Sequence, residues 1–153
     1  MRAPDSVQRQ EGADYIFTFS YESYVDAHKR EMMRPPDRLL STLLAHPDVR
    51  RLIVADPYRS WTTNWVRSVI DRRHLPRTTA RVTHVKPLRF GRADPRRVAS
   101  IQLTYEAYER RLQLTAERTG VRDPFMITAS PLVAGFSDLG WTRGALYYAR
   151  DDW

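Results

Sequence analysis

Apolar residues fall along this chain in two alternating rhythms. Short runs rich in β-branched and aromatic residues are separated by longer stretches in which apolar positions recur every three or four residues, the pattern of strands joined by single helices. Tyr15-Ile16-Phe17-Thr18-Phe19-Ser20 reads as the first strand, and Glu22 to Met33 as a helix or a long ordered loop. Pro35-Pro36-Asp37 opens a helix with Leu39, Leu40, Leu43 and Leu44 on one face, and His46-Pro47 closes it. Leu52-Ile53-Val54-Ala55, ending in Asp56-Pro57, is a second strand. Ser60 stands where it can cap a helix carrying Trp61, Trp65, Val66, Val69 and Ile70, with Pro76 beyond its end. Arg81 to Val85 alternates as a third strand and stops before Pro87. Behind Asp94-Pro95, the spacing of Val98, Ile101, Tyr105, Tyr108, Leu112 and Thr115 predicts the longest helix, with Gly120 just past its end. Pro124 to Ala129 is a fourth strand, and Ala145-Leu146-Tyr147-Tyr148-Ala149 a fifth.

Strands linked through single helices require crossover connections, and these are right-handed. The prediction is an α/β, Rossmann-like three-layer domain with a mostly parallel sheet of about five strands. Residues 1–14 read as a loose leader and residues 15–153 as one domain; the polar stretch Lys86 to Pro95 is the one generous loop.

Composition narrows the chemistry. The chain has no cysteine, which removes disulfides, thiolate catalysis and cysteine-ligated zinc. The four histidines, His28, His46, His74 and His84, show no i, i+4 pairing, so no metal site is expected. No apolar run approaches the roughly 20 residues of a membrane span, and a cytoplasmic location is the expectation. The net charge of +7 comes almost wholly from arginine. Those arginines are scattered in pairs at element edges, which fits solvated faces and weak attraction to an anionic membrane surface better than nucleic-acid recognition.

In an open α/β sheet the ligand site lies beyond the carboxyl ends of the strands. Ser20 and Tyr21 follow strand one, and Arg59 and Ser60 follow strand two. Ser130-Pro131-Leu132-Val133-Ala134-Gly135-Phe136 follows strand four, and Asp151 and Asp152 follow strand five. Arg59 would open a helix whose amides attract anions, or else be a solvated arginine beside an ordinary cap. Gly135 would allow a positive φ or a close backbone approach, and its apolar neighbours also read as turn packing. Asp151 and Asp152 offer a general base or acceptors for sugar hydroxyls, or a solvated loop. No G-x-G-x-x-G, Walker loop or G-x-S-x-G elbow occurs.

Four segments carry a resemblance. Phe17-Thr18-Phe19-Ser20-Tyr21, Met32-Met33-Arg34-Pro35-Pro36-Asp37-Arg38-Leu39, Ser130 to Phe136, and Tyr147-Tyr148-Ala149-Arg150-Asp151-Asp152-Trp153 together resemble the amino-terminal half of bacterial glycosyltransferases of the GT-B architecture, the family-4-like retaining group. The resemblance implies the acceptor side of a cleft for sugar transfer from a nucleotide-sugar co-substrate, with no metal or other cofactor. It implies that Ser20 and Tyr21 line the cleft near the donor phosphates or the acceptor, that the Ser130 loop with Gly135 flanks the transferred sugar, and that Asp151 and Asp152, the candidate catalytic pair, contact acceptor hydroxyls or the domain junction; Arg59 joins the candidate substrate contacts as an anion-attracting residue. It further implies a sugar or lipid-linked acceptor, a role in cell-envelope polysaccharide, and a hexosyltransferase whose carboxyl-terminal donor-binding domain lies outside this chain, leaving it inactive alone. Relatives often carry histidine where Ser130 stands, and serine cannot become a cation. Two readings of other classes remain open: a freestanding Rossmann-like module that binds a phosphorylated small molecule around Arg59, and a basic nucleic-acid-binding domain, which scattered charge disfavours.

Overall fold

The computed structural model describes residues 12–60, 79–89 and 95–149. The leader through residue 11, the helix expected after Ser60, His74 and Asp94 lie outside the described residues. Five parallel strands form the main sheet: β1 (Ala13–Thr18), β2 (Val49–Ala55), β4 (Val82–Val85), β6 (Phe125–Thr128) and β7 (Gly144–Tyr147). Their lateral order is β4-β2-β1-β6-β7. Counting only these strands along the chain, the order is third, second, first, fourth, fifth, which is the Rossmann arrangement. The α/β expectation therefore holds.

The central strands obtain their burial from both faces, as parallel strands must. On one face Phe17, Leu52, Val54 and Ile127 pack with Tyr24 and Ala27 of α1 (Tyr24–Lys29) and Leu40 and Leu43 of α2 (Pro35–Ala45). On the other face Ile16, Ile53, Ala55 and Met126 pack with Tyr108, Leu112 and Ala116 of α3 (Val98–Thr119) and Val133 of α4 (Pro131–Phe136). Odd and even positions of β1 thus feed separate cores, the period-two consequence of a strand between two helical layers.

Local chemistry sets the helix ends. Ser23 caps α1 in a capping box with Asp26. Glu31 (φ 54°) and Met32 (φ 56°) then turn the chain through left-handed backbone, so the stretch expected as one helix or loop is a short helix and a turn. Pro35 begins α2, and the Asp37 carboxylate accepts from the Arg34 amide at 3.2 Å. α3 ends at Gly120, whose φ of 67° suits the residue without a Cβ.

Two departures concern the upper edge of the sheet. Pro57 and Pro87 lack an N–H and stop the β2/β4 ladder. Beyond them Arg59–Ser60 (β3) and Leu88–Arg89 (β5) pair as a small parallel ribbon. Ser60 is therefore in paired, extended backbone, and β5 occupies part of the expected loop. The segment after β6 is also helical rather than a turn: Ser130 is the N-cap of α4, accepting from the Val133 amide at 3.4 Å, and Pro131 holds the first helical position.

Candidate functional site

The direction of strand connection reverses between β1 and β6, so the topological switch point lies beyond Thr18 and Thr128. A buried bond joins these ends: the Thr18 hydroxyl donates to Thr128 Oγ1 at 2.6 Å. Thr128 Oγ1 also accepts from the Ser130 amide at 3.0 Å, fixing the chain as it leaves the sheet toward α4. The Phe19 amide donates to the Ala55 carbonyl at 3.0 Å, and the Ala129 amide to the Thr18 carbonyl at 2.9 Å, so both exits continue the ladder by one residue.

Above this seam lies an open depression of about 320 Å³. Ser20 and Tyr21 line it from β1, Pro57 to Ser60 from β2, and Ser130, Pro131 and Leu132 from β6; Arg89 and Tyr105 complete it. Four of the residues expected from the sequence, Ser20, Tyr21, Arg59 and Ser130, therefore meet in one place. The Arg59 guanidinium donates to the Tyr21 carbonyl and lies 4.0 Å from Asp26 Oδ2, tying the first exit to the second. Tyr21 projects its ring into solvent with 77% of its surface exposed, whereas Ser130 is buried. Tyr58 and Tyr105 rest on the buried Tyr108 ring at 5.4 and 6.0 Å between centroids, which holds that aromatic wall in place. Arg59 and Arg89 are the charged side chains among the described residues that line the depression.

Gly135 does not join them. It is helical within α4, has no positive φ, and a Cβ built there would meet nothing within 4 Å. The expectation of a close backbone approach rested on residue type alone. In the structure it is an exposed helical glycine. Asp151 and Asp152 lie outside the described residues.

A group that strand spacing does not reveal stands beneath the second exit. Asp56 is buried; its Oδ1 accepts from the Tyr24 amide at 2.7 Å, and its Oδ2 lies 3.0 Å from His84 Nε2, at ion-pair distance without hydrogen-bond alignment. The Tyr24 ring packs against His28 at 4.6 Å and His84 at 5.1 Å. Burial, with the neighbouring His84, holds His28 below the ordinary imidazole range. The Tyr108 hydroxyl donates to the Asp56 carbonyl at 3.1 Å, and burial raises its pKa well above the usual phenolic value. Asp56 thereby anchors the start of α1 and the turn carrying Pro57 to Arg59. The register that sets Val54 beside His84 is the signal that brings these distant residues together.

Two further depressions, of about 330 and 380 Å³, open at the amino-terminal edge of the sheet. The second includes Arg50, Arg122 and Arg143, but also Asp14 and Asp123. Asp14 is committed there, accepting from the Arg50 guanidinium and from the Arg122 amide at 2.6 Å. The carboxyl-end depression is the better site, because it combines the switch point with hydroxyl groups, an aromatic wall and two arginines, of which Arg59 lies 4.0 Å from Asp26 Oδ2. Among the described residues no group of three or more His, Asp or Glu side chains is placed to hold a metal ion, and no helix is long and apolar enough to cross a membrane. Comparison of the chain with protein-family models, curated proteins and solved structures finds no match.

Proposed function

We propose that this domain forms the acceptor side of a glycosyl-transfer cleft of the GT-B kind. One observation carries the reading: the chain exits of β1, β2 and β6 converge on a single depression that presents Ser20, Tyr21, Arg59 and Ser130. Hydroxyl and aromatic groups of this kind suit a polyhydroxylated ring, which offers alternating polar edges and apolar faces. In the proposed reaction an acceptor hydroxyl forms a bond to the anomeric carbon of a nucleotide-sugar as the bond to the diphosphate breaks, and the hydroxyl proton leaves with the departing group or a base. Ser20 and Ser130 orient the acceptor, Tyr21 covers its ring, and Arg59 holds the Tyr21 exit in place. Asp151 and Asp152 keep their proposed contacts with acceptor hydroxyls. The donor-binding domain, an anionic membrane surface and a sugar or lipid-linked acceptor are the partners proposed with this reading.

The test is carbohydrate binding by the 153-residue chain. A panel of mono- and oligosaccharides is titrated while backbone amide resonances are followed. The expected result is saccharide-dependent shifts at Ser20, Tyr21 and Ser130 that Tyr21→Ala weakens. A panel in which no saccharide moves those resonances overturns the reading.

A further inference from the structure

Among the described residues β7 stands at one edge of the main sheet, and it lacks the features by which edge strands avoid pairing with another chain. Gly144-Ala145-Leu146-Tyr147-Tyr148-Ala149 holds no proline and no charged side chain, in a chain of net charge +7. Leu146 is 48% exposed and Tyr147 44%, and as successive strand residues they lie on opposite faces. Phe17 and Ile127, in register with Leu146, and Thr18 and Thr128, in register with Tyr147, are all buried, so the helical layers on both faces stop short of β7.

The Tyr148 amide donates to the Thr128 carbonyl at 2.8 Å. Alternate residues of a strand bond to opposite sides, which directs the N–H and C=O of Ala145 and Tyr147 away from β6. About a two-fold axis through Leu146, a second copy of β7 runs antiparallel and sets Ala145 opposite Tyr147 of that copy. Residues with outward groups then meet and exchange both backbone bonds. Leu146 faces its own counterpart, each Tyr147 ring has the small Ala145 opposite it, and no charge within the strip faces another. The absence of charge matters because two copies of net charge +7 repel over the rest of their surfaces.

We infer that this chain forms a symmetric homodimer in which two copies of β7 pair antiparallel, joining the two sheets edge to edge through residues 144–149. Because the paired strands run in opposite directions, the two carboxyl-end depressions open at opposite ends of the joined sheet and stay clear of the contact. The pairing needs no ligand there.

The experiment measures the mass of the full chain by sedimentation velocity from about 1 to 200 µM, together with hydrogen exchange at single amides. The expected result is a dimer that dissociates on dilution, since one pair of strands makes a small interface. The Ala145 and Tyr147 amides exchange slowly only at high concentration, whereas the Tyr148 amide, bonded within the chain, is slow throughout. Leu146→Lys sets two ammonium groups face to face and weakens the dimer at least about tenfold, while Leu103→Lys, at an exposed position of α3, leaves it unchanged. Leu146→Cys, in a chain with no other cysteine, is cross-linked between copies by diamide, and Leu103→Cys is not. A chain that stays monomeric across the whole range overturns the inference. So does a dimer that Leu146→Lys leaves intact, because the contact then lies elsewhere. Slow exchange of Ala145 and Tyr147 in a monomer overturns it as well, since another segment of the same chain then pairs with β7.

Discussion

Thr18 and Thr128 offer a test of how the seam beneath the cleft is held, because the sign of the effect reverses in a double variant. Thr18→Val removes one donor; Thr128 Oγ1 still accepts from the Ser130 amide, so the loss is that of a single buried bond, about 1 kcal/mol. Thr128→Val removes the acceptor of two bonds and the donor of a longer one, 3.4 Å to the Ser130 carbonyl. It leaves the Thr18 hydroxyl and the Ser130 amide unpaired where Thr18 and Thr128 are 0% and 1% exposed, at about 1–3 kcal/mol each, so a total near 3 kcal/mol is expected. Adding Thr18→Val to Thr128→Val removes one of those orphaned groups, and the double variant should recover about 1 kcal/mol relative to Thr128→Val. Urea unfolding followed by circular dichroism measures this. With a slope of about 2–3 kcal/mol per molar, Thr128→Val lowers the midpoint by roughly 1–1.5 M and the double variant by less. A double variant less stable than Thr128→Val, with the two losses simply adding, refutes the assignment of a shared bond.

Glu109 on α3 accepts from the Asp138 amide and from Trp141 Nε1, each at 2.8 Å, and so ties down the short 3-10 turn Leu139–Trp141. Glu109→Ala should cost about 2–4 kcal/mol and expose Trp141, read by urea melts and by a red shift in tryptophan emission; an unchanged midpoint would dismiss the tie. Gly135→Ala should add about 0.5–1 kcal/mol, since the site is helical and open, whereas Gly120→Ala should lose about 1–2 kcal/mol at its positive φ; thermal melts giving the two changes the same sign would contradict both backbone assignments. For His28, folding depresses the pKa, chiefly through burial and then through His84, so the unfolded chain takes up a proton first below about pH 6.5. Stability should therefore fall as pH drops through that value, and less so in His28→Gln; parallel stability–pH curves for the two proteins would sink this assignment.

The strands were legible where burial from both faces made the run continuous. Ile16 and Phe17 are both fully buried and belong to opposite cores, so β1 reads as apolar at successive positions rather than alternating. Its beginning was hidden by Asp14, a carboxylate inside the strand that tolerates burial because Arg50 and the Arg122 amide meet one of its oxygens. Arg50 and Arg51 concealed the start of β2 in the same way. The ribbon of β3 and β5 was not legible, since two residues carry no period and the pairing exists only once Pro57 and Pro87 stand side by side. α4 was announced by Ser130-Pro131, an N-cap followed by a first-turn proline, but Gly135 suggested a turn more strongly than that pair suggested a helix.

The same contrast separates the parts of the candidate site that came together from the part that did not. Ser20, Tyr21, Arg59 and Ser130 follow from the rule that a parallel sheet delivers every strand to the same edge, which depends on topology rather than on what each side chain is. It brought the exits of β1 and β6 into contact even though the bonded threonines are 110 residues apart. Gly135 offers a conformational freedom that the helical backbone there does not use. Neither spacing nor residue type links Asp56 with His84, yet the β2/β4 register sets them 3.0 Å apart below the exit that carries Arg59. Strand order therefore predicts where the cleft lies, whereas the hydrogen bonds at each exit decide which side chains reach it.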